Sequence, residues 1–120
     1  EIKNMKYSYF LGRIYFNKGE YEKAEKYLEK AVELKPNSES AVFFYALTFI
    51  QLKKYNEAVI YFKKVISLNP WNSDALNNLG ALYLKAGAGS RSDAVSSLKK
   101  SLSIKPDQPD VSKMLIELEK

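Results

Sequence analysis

Three prolines recur at an almost constant interval, and this interval limits how the chain can fold more than any other feature of the sequence. Pro36 and Pro70 are 34 residues apart, and Pro70 and Pro106 are 36 residues apart. Each proline closes a similar five-residue sequence, which we interpret as the end of a helix because proline cannot continue one. A constant period of this length is typical of arrays in which small structural repeats stack on one another.

Small residues recur in register with the prolines. An alanine lies twelve residues before each proline, and a large apolar residue follows that alanine four positions later, on the same face of a helix. The alanines are Ala24, Ala58 and Ala94, and the large residues are Leu28, Phe62 and Leu98. Further upstream, each repeat has a large residue, then a small one, then an aromatic one three positions on. These are Leu11, Gly12 and Tyr15; Tyr45, Ala46 and Phe49; Leu79, Gly80 and Tyr83. Small residues at these positions would let paired helices approach closely.

This pattern resembles the tetratricopeptide repeat, in which W-x₂-L-G-x₂-Y, A-x₃-F and P recur over about 34 residues. The resemblance covers residues 5–106 and implies an all-α fold, a right-handed superhelical array of antiparallel helix pairs. The departures from the pattern are Ser8, Val42 and Leu76 in place of Trp, and Ser101 where Ala31 and Val65 stand in the earlier repeats. The third repeat also contains two additional residues, which fall in the segment 86–92.

We predict a single domain over residues 1–120. It comprises repeat 1 at about 5–38, repeat 2 at about 39–72, repeat 3 at about 73–108 with its two-residue insertion, and a capping helix at about 109–120. The paired helices are predicted near 3–18, 21–34, 38–52, 55–68, 72–86 and 91–104. The last segment has apolar residues on one face and charged ones elsewhere, as expected of a helix that covers the open end of a repeat array.

Helix ends are also predicted. Gly19 suits a helix C-terminus because glycine adopts left-handed geometry without strain. Ser38, Asn72 or Ser73, and Ser90 or Ser92 can accept hydrogen bonds from the first amides of the following helices. Trp71, which follows Pro70, is expected to pack in its turn.

Composition argues against catalysis. The sequence contains no Cys and no His, which removes thiolate nucleophiles, imidazole bases and the usual zinc ligands. We therefore predict no enzymatic activity, no metal site and no cofactor. The formal net charge of +5 is spread thinly along the chain. Residues 1–38, 39–72, 73–106 and 107–120 carry +2, +2, +3 and −2 respectively.

No stretch reaches the roughly 18 uninterrupted apolar residues of a membrane span, so we predict no membrane insertion. The chain opens at Glu1 rather than Met, which suggests an excised domain or a processed product. A targeting signal could have been removed with the preceding residues, so the compartment stays unknown, with the cytoplasm as the default.

The resemblance places function on the first helix of each repeat, because in this family that helix lines the concave face. The inner positions are aromatic in the first two repeats and rich in amides in the third. The candidate partner-binding residues are Tyr9, Phe10, Arg13, Phe16, Phe43, Phe44, Leu47, Ile50, Asn77, Asn78 and Lys85. Such a face favours a peptide or helix with apolar anchors and acidic flanks.

The family's carboxylate clamp, which grips the C-terminus of a chaperone tail with Lys, Asn and Arg, is not expected here. Its positions hold Tyr9, Arg13, Phe44, Asp74 and Asn78. The predicted function is a protein-interaction scaffold that binds a peptide or helix of a partner protein.

Three alternatives remain open at this stage. Any single aromatic residue of the inner face can instead pack between repeats. The groove can accept a second copy of the chain, which would make it a self-assembly module. The lysine pairs at 53–54, 63–64 and 99–100 suggest nucleic-acid or anionic-surface binding, but we prefer to interpret them as solvated outer faces.

Overall fold

The computed structural model describes residues 2–85 and 91–120, which form an array of helices joined by short turns. The helices are α1 (Ile2–Asn17), α2 (Tyr21–Leu34), α3 (Glu39–Gln51), α4 (Tyr55–Leu68), α5 (Ser73–Lys85), α6 (Arg91–Ile104) and α7 (Pro109–Leu118). Each agrees with its sequence-based prediction to within one or two residues at either end. The two-residue insertion and Ser90 lie outside the described residues.

Individual residues determine where the helices begin and end. Ser38 caps α3 by accepting a hydrogen bond from the Ala41 amide at 3.3 Å, and Asn72 caps α5 in the same way, with 3.0 Å to the Ala75 amide. Gly19 has a φ of +78° and ends α1, as predicted. Lys53 has a φ of +60° at the corresponding position of the second repeat, although lysine is strained in this geometry.

The helices of each pair approach closely because small residues lie between them. A Cβ added to Gly12 would lie 2.5 Å from the Cγ of Leu28, and one added to Gly80 would lie 2.8 Å from the Cδ2 of Leu98. Ala46 in the second repeat is fully buried. The packing role predicted for these positions is therefore confirmed.

The core is a continuous apolar layer that runs through the stack rather than a central ball. Each helix packs mainly against the helices before and after it in the chain, so the molecule is elongated, at 49 × 25 × 21 Å. Phe62, Leu28 and Leu98 are the largest side chains with no solvent exposure. Among the described residues, no helix combines the length and apolar composition needed to cross a bilayer.

Polar contacts join repeat 1 to repeat 2 around the apolar layer. The Lys54 ammonium lies 2.8 Å from a Glu25 carboxylate oxygen, and the Tyr45 hydroxyl donates to Glu29 at 3.5 Å. Burial, followed by the nearby Glu29 carboxylate, raises the pKa of Tyr45 well above its usual range. The phenol therefore stays protonated and remains a donor.

The predicted capping helix is present as α7, which packs on α6 through Val111. Gln108, just before α7, directs its amide nitrogen at the Ser101 carbonyl, the Ser101 hydroxyl and the Lys105 carbonyl, at 3.3, 3.0 and 2.8 Å. The Lys99 ammonium lies 3.1 Å from Glu119. These polar contacts hold the capping helix against the third repeat.

Two sequence-based expectations about the turns need correction. Trp71 does not pack in its turn. It is 71% exposed, and the turn is formed instead by its backbone amide, which donates to the Asn69 side chain at 3.0 Å. Ser92 does not precede α6 but lies within it, because the helix already includes Arg91.

Candidate partner-binding groove

The inner face of α1 and α3 is organised around Phe44. Its ring centroid lies 6.3 Å from that of Tyr9, 5.9 Å from that of Phe16 and 5.8 Å from that of Phe43, all with near-perpendicular planes. Edge-to-face contacts at such distances are favourable for aromatic pairs. The four rings, together with the exposed Phe10, form an aromatic cluster that we call the groove floor. Two helices from different repeats contribute to it.

Arg13 lies on the groove floor as a cation over aromatic rings. Its guanidinium carbon is 4.4 Å from the Phe44 centroid and 5.8 Å from the Tyr9 centroid, within the range of cation–π attraction. The Nε atom is buried and has no hydrogen-bond partner among the described residues. The side chain is therefore held by stacking, and its positive charge has no acidic partner within residues 2–85 and 91–120.

The aromatic residues differ in how much surface they offer. Phe10 is 58% exposed, whereas Tyr9, Phe16, Phe43 and Phe44 are half-buried. Phe43 is also a core residue, because its ring lies 5.6 Å from that of Phe62. Phe16 packs against Tyr21 at 5.4 Å. Packing and ligand contact are thus compatible roles for the same ring.

Leu47 and Ile50 continue the inner face of α3 as half-buried residues packed against the core. A small cavity of about 150 Å³ opens between α3 and α5, lined by Phe43, Phe44, Ser40, Glu39, Asn72 and Asp74. Asn69 and Asn72 both donate to the Glu39 carboxylate, at 2.9 and 2.8 Å. The groove is therefore cationic beside α1 and anionic beside the start of α5.

The two asparagines of the third repeat are engaged within the protein. Asn77 donates from its side-chain nitrogen to the Oε1 of Gln108 at 2.7 Å. Because Gln108 directs its own nitrogen at three acceptors, the orientation of both amides is fixed by this network. The side-chain oxygen of Asn77 is buried and has no hydrogen-bond partner among the residues that the structure describes. Asn78 donates to the Asp74 carbonyl one turn earlier, at 2.9 Å.

Lys85 is exposed and lies apart from the groove floor, with its ammonium 5.4 Å from the centroid of the Tyr55 ring. Both line a cavity of about 330 Å³ at the turn between α3 and α4, together with Lys53, Lys54, Asn56 and Glu57. The structure therefore brings the aromatic candidates and Arg13 together but places Lys85 and Asn77 elsewhere. Their roles in partner binding stay predictions.

Glu39 and Asn72 line the groove beside α5, but sequence reasoning did not name Glu39 and named Asn72 only as a helix cap. Only their position in the repeat could have indicated this role. Each lies at or just before the start of the first helix of a repeat, where the turns face the groove. Among the described residues, no cluster of His, Cys, Asp or Glu is arranged to hold a metal ion.

Stacked helix pairs occur in several classes of helical repeat protein. A family model described as "TPR repeat" matches residues 46–87 and assigns the pairs to the tetratricopeptide class. A second model, described as "Anaphase-promoting complex, cyclosome, subunit 3", matches residues 1–65, more than half of the chain. The chain therefore belongs to that family of tetratricopeptide-repeat proteins.

Individual proteins extend this result. The anaphase-promoting complex subunit CDC16 of Saccharomyces cerevisiae is 35% identical over 112 residues, which cover 88% of this chain and 13% of that protein. The first TPR domain of Spaghetti (RPAP3), solved with an HSP90 peptide, superposes with a TM-score of 0.89 at 18% identity, over 99% of this chain and 93% of that one. YrrB, a TPR protein with an unusual peptide-binding site, has a TM-score of 0.83 at 27% identity, over 92% and 56% of the two chains.

Proposed function

We propose that this chain is a scaffold segment that binds a helix or extended peptide of a partner protein across the groove floor. The observation that carries the proposal is the clustering of aromatic rings around Phe44 on the inner face of two repeats. Aromatic residues with one face packed and the other accessible are typical of the anchors that dominate binding energy at interfaces. Peptide binding by the structurally similar YrrB supports this use of the fold.

The charges of the groove specify the partner further. Arg13 has no acidic partner in the described part of the chain, and Lys6 is exposed at the same end of the inner face. Glu39 and Asp74 line the opposite end. A segment with apolar anchors on Phe44, an acidic flank toward α1 and a basic or polar flank toward α5 would complement both ends.

A chaperone tail is not the ligand we propose. RPAP3 has the same fold and was solved with an HSP90 peptide, but at 18% identity the likeness concerns the fold alone. In this chain Tyr9 and Phe44 occupy clamp positions with rings rather than with Lys or Asn. An apolar surface cannot replace the cations and amides that hold a terminal carboxylate.

The related proteins suggest the kind of assembly in which this binding takes place. CDC16 is a subunit of the anaphase-promoting complex, and we propose that this chain likewise acts within a multi-subunit assembly. A scaffold role needs no catalytic groups, and the absence of His and Cys from the sequence is compatible with that role.

The groove is tested with peptides selected against the chain from a random library. Phe44→Ala should weaken binding by about 2 kcal/mol or more, the loss expected for a central aromatic anchor. Phe10→Ala should also weaken binding and should leave the fold intact, because its ring is largely exposed. Arg13→Ala should act more modestly and mainly at low salt, where charge attraction is least screened.

The matched control is the double variant Lys63→Ala/Lys64→Ala on α4, which removes two cations away from the groove. It should bind the selected peptides as the unmodified chain does, with helicity checked by circular dichroism. Loss of binding in this control alone would overturn the groove proposal and favour the alternative that the outer lysines bind an anionic surface. Solution mass over a concentration series distinguishes a foreign partner from a second copy.

A further inference from the structure

The small cavity between α3 and α5, at the joint of the second and third repeats, combines aromatic walls with carboxylates. Its lining includes two aromatic and two acidic side chains, namely Phe43, Phe44, Glu39 and Asp74. Its volume of about 150 Å³ is below the roughly 300–1,000 Å³ of a small-molecule site. The cavity therefore suits one side chain of a bound protein segment rather than a free ligand.

The two carboxylates of the cavity are held differently. Oε2 of Glu39 accepts from the side-chain nitrogens of Asn69 and Asn72, at 2.9 and 2.8 Å. These two donors orient the half-buried Glu39, whereas Asp74 is exposed. In the part of the chain that the structure describes, neither carboxylate forms an ion pair with a Lys or Arg side chain. The cavity therefore offers negative charge that no described cation of the chain neutralises.

Helix starts account for part of this arrangement. Glu39 and Asp74 lie in the first turns of α3 and α5, where a negative charge interacts favourably with the helix dipole. That benefit requires neither an aromatic cavity between the two carboxylates nor two amides that orient one of them. The combination is therefore not explained by helix stability alone.

The first joint has a different chemistry at the equivalent positions. One repeat earlier, Met5 stands at the position of Glu39. Ser40 stands at the position of Asp74, and Lys6 stands at that of Ser40. The first joint thus has a cation and no carboxylate at these positions.

At the third joint, the protein's own amides occupy the equivalent place. Asn77 and Gln108 correspond to Phe43 and Asn72, and the Asn77 side-chain nitrogen donates to Oε1 of Gln108 at 2.7 Å. The open acidic cavity is therefore specific to the second joint. It lies within the array, where a helix pair packs on either side of it.

We infer that this cavity determines the specificity of the groove and binds the ammonium group of a lysine in the partner segment. The inference rests on the proposed function, because it names one residue of the segment that the groove floor binds. The lysine stem lies against the rings of Phe43 and Phe44, and its ammonium group lies at the carboxylates. An apolar stem with a cationic end matches aromatic walls with an acidic rim.

The hydrogen bonds of Glu39 favour lysine over arginine. A guanidinium binds a carboxylate best as a fork, with parallel hydrogen bonds to both oxygens. Because Oε2 of Glu39 already accepts from two amides, a fork would compete with them. An ammonium group acts as a point charge and donates to single oxygens. Lysine can therefore engage both carboxylates without breaking the hydrogen bonds of the joint.

A lysine in this cavity also sets the direction of the bound segment. On the side of α1, the Arg13 guanidinium carbon lies 4.4 Å from the centroid of the Phe44 ring. The cavity is shared between α3 and α5 and includes the same ring. A segment with an acidic residue toward α1 and a lysine toward α5 is therefore favoured in one orientation, because reversal would bring like charges together.

The test uses peptides selected from a random library against the unmodified chain, with binding of the labelled peptides measured by fluorescence anisotropy. The expected result is a preferred lysine at one position relative to the apolar anchors. Replacing that lysine by norleucine keeps the apolar stem and removes the charge, and should weaken binding by about tenfold. Arginine at the same position should bind more weakly than lysine.

Variants of the chain locate the lysine site. Asp74→Asn should weaken binding of the lysine peptide by about tenfold and leave the norleucine peptide unchanged. Asp110→Asn is the matched control, because Asp110 is also exposed and lies in the first turn of α7. It should bind both peptides as the unmodified chain does.

A charge reversal separates a direct contact from a structural role. Asp74→Lys should bind a peptide with glutamate in place of the lysine more tightly than it binds the original peptide. A purely structural role of Asp74 would weaken both peptides and would not reverse the preference.

Two results would overturn the inference. The first is the absence of a preferred lysine among the selected peptides. The second is an Asp74→Asn chain that distinguishes the lysine and norleucine peptides as the unmodified chain does. If either occurs while Phe44→Ala still weakens binding, the lysine site alone fails and the groove proposal stands. If Phe44→Ala leaves binding unchanged, the groove itself fails and the lysine site with it.

Discussion

Gly12→Ala provides the strictest test of the packing between α1 and α2. The added methyl group would lie 2.5 Å from Cγ and 2.7 Å from Cδ2 of Leu28. Leu28 has no solvent exposure, so its side chain cannot turn outward to relieve the contact. Either the two helices separate or Leu28 adopts an unfavourable rotamer.

Two effects of opposite sign determine the outcome. Alanine is about 1 kcal/mol more favourable than glycine inside a helix, whereas overpacking a well-packed interior costs about 1–3 kcal/mol. Because a contact of 2.5 Å is far inside van der Waals range, the overpacking cost is expected in the upper part of that range, about 2–3 kcal/mol. The net expectation is then a loss of about 1–2 kcal/mol in the free energy of unfolding. Gly80→Ala should cost less, because its nearest contact, with Leu98, is longer at 2.8 Å.

Urea denaturation followed by far-ultraviolet circular dichroism measures these changes. In a double-mutant cycle, Gly12→Ala combined with Leu28→Ala should be less destabilising than the sum of the single changes by about 1 kcal/mol or more, because the contact is then absent. A Gly12→Ala chain as stable as the original would refute the reasoning. It would mean that the helices separate at little cost.

Two further predictions concern the second and third repeats. Lys53→Gly should stabilise the chain by about 0.5–1 kcal/mol, because it removes left-handed strain of about 1–2 kcal/mol at the cost of greater freedom in the unfolded chain; a lower melting temperature would contradict the geometry of this turn. Gln108→Ala should destabilise it by about 1–3 kcal/mol by leaving Asn77 and Ser101 without their partner, measured in urea; an unchanged midpoint would show that water replaces the amide.

The sequence was sufficient to predict each helix of the described residues, because three kinds of position recur from repeat to repeat. Prolines set the interval, alanines and glycines set the helix contacts, and polar residues such as Ser38 begin the helices. At these positions the local preferences agree with the global arrangement, which is what makes a prediction from pattern reliable. The turn at Lys53 was not anticipated, since only the position of Gly19 one repeat earlier indicates a left-handed residue there.

Contacts specific to one repeat could not be predicted. Ser101 was visible only as a departure from Ala31 and Val65, yet its buried hydroxyl donates to the Ser73 carbonyl at 3.3 Å and accepts from Gln108. The same glutamine engages Asn77. These partners come from three different helices or turns, and no periodicity links them. Alignment by repeat therefore predicts which face a residue shares, but not which neighbour it binds.

The groove floor also has a mechanical consequence. The contacts of Tyr9 and Phe16 with Phe44 cross from one repeat to the next. These rings therefore stiffen the joint between the first two repeats. Among the described residues, no aromatic pair links α3 to α5. Bending of the solenoid is therefore expected to concentrate at the second joint. A partner lying along the whole inner face would restrict bending at that joint and make the array more rigid.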